Sequence, residues 1–462
     1  MKLSRYVGDK AFYRRVLAVA VPIMLQNGIT NFVNMLDNLM VGRVGTLEMT
    51  GVAVANQLFF VFMLCMFGAV SGAGIFGAQF YGKGDHEGLR HSFRFKLLLC
   101  AALTALCAAV FWFGGEWLIS QFLQGEGAAE DAAASLGYAR NYLRIMMISM
   151  IPNALIQIYA STLRETGETL LSMKAGIIAV VVNLVLNAVL IFGYCGFPRL
   201  GVAGAAIATV VARFVEMFIV MIWTHAHKRE NPFIIGAYRS MYIPLRLVKD
   251  MTVKGAPLLL NETLWSLGIT MLNRCYSVRS LDVVAATNIS QTFWNVFSVT
   301  FMSIGTSIGI IVGQLLGAQK FHEVRSTTRK LIAFSMVVST VMAGIYILCS
   351  GWIPLLYNTT DTVRTLARGV IIISALYMPL DSFVHATYFS LRSGGKTGIT
   401  FIFDCGFVWL VQVPLAFVLS QYTAMPFLLL YACCQAAALI KCTLGYIFLK
   451  QGKWIRCVVS DE

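Results

Sequence analysis

The sequence predicts an all-α polytopic membrane protein: twelve transmembrane helices in two pseudo-symmetric six-helix bundles around a central cleft. Three observations carry that prediction. Hydrophobic residues make up 58% of the 462 and charged residues only 13%, with a mean hydropathy of +0.73. That stock of polar residues cannot cover a water-facing exterior. Apolar stretches of about 20 residues recur from end to end, each long enough to cross about 30 Å of hydrocarbon as a helix. Finally, the second half of the chain repeats the first.

The apolar stretches lie at 16–40, 51–80, 95–119, 138–163, 173–194, 201–224, 255–276, 283–316, 331–353, 367–391, 398–420 and 425–449. The start, MKLSRYVGDKAFYRRV, is charged and lacks a small-residue cleavage site, so it reads as a cytoplasmic tail before an uncleaved first helix. With that tail inside, most of the 36 Lys and Arg fall in the tails and the loops on the same side. This is the positive-inside bias, and it places both termini in the cytoplasm; the expected location is a bacterial plasma (inner) membrane, crossed many times. The net charge of +14 then marks solvated cytoplasmic faces, with clusters at 14–16, 225–232 and 325–330, and no nucleic-acid partner is expected. The eleven cysteines are scattered without a C-x-x-C and read as small buried hydrophobes.

The repeat sets SGAGIFGAQFYGKGDHEGLRHSFR (71–94) on TSIGIIVGQLLGAQKFHEVRSTTR (306–329) without a gap. It pairs Gly74 with Gly309, Gln79 with Gln314, Gly82 with Gly317, Arg90 with Arg325 and Arg94 with Arg329, and the same offset carries Pro22 onto Pro257. A slightly shorter offset sets LRETGET (163–169) beside LRSGGKT (391–397). The expected division is an N-terminal six-helix lobe at 1–224, a basic cytoplasmic linker at 225–254, and a C-terminal six-helix lobe with a cytoplasmic tail at 255–462. Duplicated helical lobes can rock about a cleft and open it to one side at a time. A channel would instead call for a filter-like run such as TVGYG, which the chain lacks.

A carboxylate near the bilayer centre costs about 2.5–3.5 kcal/mol on insertion scales, so each one needs a reason. Asp37 lies in NFVNMLDNLMVG beside Asn27, Asn31, Asn34 and Asn38, whose spacings of four, three and four residues put them on one stripe of the first helix. Lipid would leave that stripe unsatisfied, so it faces a wet cavity or polar partners. A proton or Na⁺ arriving at Asp37 would change the local charge and hydrogen bonding. Asn183 and Asn187 stand one turn apart and serve either an oxygen-rich site with Asp37 or helix packing. Three more acids form a C-lobe group of candidates for cation or substrate. Glu262 follows Pro257 and aligns with Asn27, and Asp381 aligns with Asn153 and has His385 one turn on, where a carboxylate–imidazole pair fits. Asp404 sits near the start of the eleventh helix, where a snorkelling or interlobe partner would also account for it. Arg213 and Lys441 fall within predicted helices. There is no GxxxxGK[ST], G-x-S-x-G or H-E-x-x-H, so neither an enzyme nor a cofactor is expected.

Taken together these stretches resemble the MATE family of multidrug and toxic-compound extrusion antiporters. The likeness rests on VPIMLQNGITNFVNMLDNLMVGRVG, GAQFYGKGD, LRETGET, NLVLNAVLIFG, GVAGAAIAT and LRSGGKT, in that order along nearly the whole chain. The resemblance implies two bundles forming a V-shaped cleft and export of small organic cations, amphipathic in character, against inward Na⁺ or H⁺, by a monomer. Its first-lobe coupling site carries over to Asp37, Asn183, Asn187 and Thr209, with Na⁺ at Asp37 as the one metal ion it admits. Some branches have an acid where this chain has Asn187, and others have a second-lobe site that Asp381 fits, with Glu262 about one turn nearer Pro257 than the usual Glu. The competing expectation is a flippase of lipid-linked sugars on the same architecture, which would call for several cations converging on the cleft.

Overall fold

The computed structural model of the protein describes residues 6–42, 45–123, 129–357 and 359–459, with side chains described throughout except at 33–39, 42, 46, 122–123, 129–132, 195 and 281. Among the described residues the regular structure is helical, with no strand. The chain forms two compact units. One takes Leu25–Gly77 and His86–Lys249; the other takes the residues up to Met24, Ala78–Asp85 and Asp250–Glu462. The divide therefore falls inside α1 (Lys10–Gly42), just past Pro22, and inside α2 (Thr46–Lys83).

The N-terminal unit continues with α3 (His86–Leu123), α4 (Ala129–Ile148), α5 (Met150–Thr166), α6 (Leu170–Phe192) and α7 (Val202–Ala226). The α4–α5 pair is bent by 47°. Pro152 accounts for the break: it has no N–H for the Ile148 carbonyl, and its ring crowds that oxygen. The basic stretch after α7 is docked on α3 rather than loose. Arg94 donates to the carbonyls of Ala237 (2.9 Å), Gly236 (2.8 Å) and Tyr242 (3.1 Å), and Arg90 donates to that of Phe233 (3.3 Å).

The C-terminal unit holds α8 (Leu245–Ser277, from Asp250 on), α9 (Leu281–Gly317), α10 (Phe321–Cys349) and α11 (Asp361–Ser393). It ends with α12 (Thr397–Phe401), α13 (Val413–Tyr422), α14 (Phe427–Ala436) and α15 (Ala438–Gln451). Side-chain caps start two of these helices: Ser280 accepts from the Val283 N–H and Thr360 from the Val363 N–H. Two π-helical turns, Ile402–Gly406 and Val408–Gln412, join α12 to α13. The unit's core packs Ile304, Ile308, Val312, Leu331 and Phe389 against Val16 and Ala20 of α1.

Each of the twelve predicted apolar segments lies on one helix or on helices broken within it. Among the described residues nine helices are long and apolar enough to cross a membrane, and the bent α4–α5 pair makes a tenth. The remaining two predicted spans, on α1 and α8, carry a proline and several polar residues each. Apolar surface of the long helices faces outward where water would not tolerate it: on α3, Phe113 is 87% and Trp112 68% exposed. Such surface belongs against lipid. The fold is an all-α, multi-pass membrane architecture.

The repeat has a structural meaning at two places. Both LRETGET and LRSGGKT end a helix on a glycine in the left-handed region, Gly167 (φ 92°) and Gly395 (φ 70°), which side chains disfavour. The ends of α2 and α9 cross so closely that a Cβ on Gly82 would fall on the Gln314 carbonyl, and one on Gly317 on the Gln79 carbonyl. These are the residues the repeat pairs, so the crossing is itself two-fold.

Candidate functional site

In the N-terminal unit the small residues of α7, among them Ala205, Ala206 and Ala208, are buried and let α6 approach. Three of the four predicted coupling-site residues meet there. Asn187 Nδ2 donates to Asn183 Oδ1 (3.1 Å), Asn183 Nδ2 donates to Thr209 Oγ1 (3.2 Å), and the Thr209 hydroxyl donates to the Ala205 carbonyl (3.0 Å). Asn183 and Asn187 are 5% and 1% exposed. The fourth residue, Asp37, is on the helical course of α1, but its side chain lies outside the described ones, as do those of Asn34 and Asn38. On the same stripe Asn27 is exposed and Asn31 half-buried.

The C-terminal unit gathers the other predicted residues into one polar group. Lys441 on α15 donates to Asp404 Oδ1 at 2.7 Å, and Asn261 on α8 donates to Asp404 Oδ2 at 3.1 Å and to the Tyr388 hydroxyl at 3.5 Å. Asp404 sits in a π-helical turn, a feature that recurs at functional sites. Asn261 Oδ1 accepts the Cys405 N–H of that turn at 3.3 Å, which ties α8 to the widened helix. Glu262 feels the charges of Arg392 and Asp404, Asp381 that of Lys441, and His385 those of Asp404, Lys441 and Arg392.

Two expectations change. Spacing allowed an Asp381–His385 pair, but no hydrogen bond or ion pair joins them among the described residues. The imidazole packs among Phe301, Tyr388 and Phe389, with ring centroids at 6.0, 6.4 and 5.4 Å. Asp404 is neither snorkelling nor bridging between lobes, because its partner Lys441 belongs to the same unit. Arg213, the other cation expected inside a helix, pairs with Glu216 one turn along α7 at 2.6 Å.

Sequence reasoning missed a buried ion pair in the N-terminal unit. Lys96 Nζ lies 2.6 and 2.7 Å from the Glu165 carboxylate oxygens and 3.0 Å from Thr162 Oγ1, and Ser161 donates to Glu165 Oε1 at 2.8 Å. Gly77 makes room for the carboxylate: a Cβ there would fall on Glu165 Oε2. The signal was in the repeat. Where this unit has Gly77, Lys96 and Glu165, the matching positions are Val312, Leu331 and Ser393. Among the described residues, no three His, Cys, Asp or Glu side chains are placed to hold a metal ion.

The multi-pass helical fold sets hydrogen-bonded polar clusters into its apolar helices, a build that membrane transporters share. The MatE family model matches residues 22–189 and 257–418, most of both repeats. The chain belongs to the MatE family, that of the multidrug efflux transporters. It is 24% identical to the probable multidrug resistance protein NorM of Thermotoga maritima, over 97% of this chain and 95% of that one. It is also 24% identical to the probable multidrug resistance protein YoeA of Bacillus subtilis, over 94% and 92%. The fold matches a solved outward-facing multidrug resistance MATE family transporter of the MOP superfamily with a TM-score of 0.85, at 17% identity, over 98% of this chain and 99% of that one.

Proposed function

We propose that the protein is a secondary active exporter of small organic cations and drugs, driven by Na⁺ or H⁺ entering through alternating access of its two lobes. The Asn183–Asn187–Thr209 cluster carries this reading. Three polar side chains from two helices converge in an apolar unit, held in one hydrogen-bonded chain. Their amide and hydroxyl oxygens can coordinate a bare monovalent cation or accept from a protonated carboxyl. With Asp37 they form the coupling site, and Asn27, Asn31, Asn34 and Asn38 line the approach. Glu262, Asp381 and His385 give the C-terminal lobe a second polar surface for substrate or ion. The transporter works as a monomer in a bacterial plasma membrane, with both termini in the cytoplasm and no organic cofactor.

The lipid-flippase reading finds less support, because an anionic headgroup needs unspent positive charge. Lys441 is paired with Asp404 and Arg213 with Glu216, and Arg392, whose Nη1 is buried without a hydrogen-bond partner among the described residues, is the cation that a headgroup would have to use. Reconstituted protein should expel ethidium when a Na⁺ gradient, or failing that a pH gradient, is imposed across the vesicle. Ethidium leak that ignores both gradients would overturn the proposal.

A further inference from the structure

The Lys441–Asp404 pair has the form of an occupied cation site. Asp404 offers one carboxylate oxygen to the ammonium at 2.7 Å, while Asn261 holds the other at 3.1 Å. The ammonium also lies over the rings of Phe403 and Phe407, 5.3 and 5.8 Å from their centroids. A carboxylate flanked by two aromatic faces is the chemistry that recognises a small alkylammonium ion. Here the occupant arrives on a tether from α15, with its side chain only 11% exposed. The receptor is rigid as well, since Asn261 is itself fixed by the Cys405 N–H and Tyr388.

We propose that Lys441 is a resident cation. It fills the Asp404 subsite of the C-terminal unit, and so excludes any free monovalent or organic cation from that carboxylate. The surrounding groups suit this role. Glu262 on α8 and His385 and Tyr388 on α11 feel the charge of Asp404, Asp381 on α11 feels that of Lys441, and Arg392 acts on Glu262, His385 and Tyr388. With Lys441 in place, Asp404 is neutralised from within, and the remaining acids, Glu262 and Asp381, are the ones left to meet a mobile ion or substrate. This goes beyond the transport reading and holds whatever molecule is exported.

The test is methylammonium binding to purified protein, read as a saturable rise in melting temperature without any gradient, so a failure of transport would not be mistaken for a failure here. All variants carry Asp37→Asn, which removes the other unit's carboxylate. Lys441→Ala should open the subsite and bind methylammonium about tenfold or more tighter than the Lys441 parent. Adding Asp404→Asn should abolish the gain. If Lys441→Ala does not fold, Lys441→Gln, which keeps a hydrogen bond to Asp404 but no charge, should show the same gain. Equal responses with and without Lys441, or a gain that survives Asp404→Asn, would overturn the proposal.

Discussion

Glu165 and Lys96 bury opposite charges in direct contact, with side chains 8% and 0% exposed. Removing one partner strands the other away from water, so Glu165→Ala should cost about 3–5 kcal/mol, seen as a large drop in melting temperature in detergent. The second repeat holds the apolar solution to the same packing problem: Val312 and Leu331 are fully buried, and Ser393 satisfies itself on the Gly309 and Phe389 carbonyls. The triple replacement Gly77→Val, Lys96→Leu and Glu165→Ser should therefore recover most of that loss, and a triple variant no more stable than Glu165→Ala would refute the equivalence. Asn183 occupies the middle of its chain, accepting from Asn187 and donating to Thr209. Asn183→Ala should raise the half-saturating concentration of the coupling ion about tenfold with little change in melting temperature, as loss of one orienting group does at ion sites. At this scale spacing alone brought Asn183 and Asn187 together, because they sit one turn apart on one helix, whereas Thr209 was reached only through the family resemblance. The sequence was read poorly where partners are far apart in the chain. Lys96 and Glu165 meet only through the packing of α3 on α5, and Lys441 looked like a lone cation until α15 was set beside the π-helical turn. The Asp381–His385 spacing misled for a related reason, because a shared helix face does not fix where an imidazole turns when aromatic rings surround it.

At the scale of elements, the close crossing of α2 and α9 turns on Gly82 and Gly317. Alanine in place of a glycine inside a helix ordinarily gains about 0.5–1 kcal/mol. That gain should appear at Gly344 in α10, where an added Cβ meets nothing within 4 Å. At Gly82 and at Gly317 the sign should reverse, since the methyl lands on rigid backbone, and the two variants should lose folded yield alike. Size-exclusion profiles of the three alanine variants decide this, and a normal profile for Gly82→Ala would contradict the crossing. The helices themselves were legible because lipid demands about 20 apolar residues per crossing and the chain supplies them in register with turns. The breaks were not. Pro152 bends α4–α5 whereas Pro22, Pro257 and Pro379 lie inside continuous helices, so a proline alone does not tell whether its neighbours will absorb the lost hydrogen bond. The π-helical turns left no mark on the apolar pattern either, since around Asp404 and Gln412 the stretch is apolar on every side and one added residue changes no face that water could read.

On the scale of the whole molecule, membership of the MatE family and the repeat account for the architecture, and the two units differ in what they place inside it. Beside its Lys96–Glu165 pair the N-terminal unit sets a separate cluster of amides and a hydroxyl, whereas the C-terminal unit gathers several carboxylates around Lys441. That asymmetry is why the proposed coupling site is assigned to the first lobe, although both lobes descend from one pattern. It also predicts unequal sensitivity: Glu262→Gln should alter the range of exported cations more than the gradient dependence, measured by comparing several dyes at fixed gradient. The central claim is that ion entry at Asp37 and its amide neighbours drives export. Its most direct test is gradient-driven ethidium efflux from proteoliposomes carrying Asp37→Asn, with insertion matched to the parent protein. The account predicts that the gradient no longer drives efflux, whereas parental rates in that variant would contradict it.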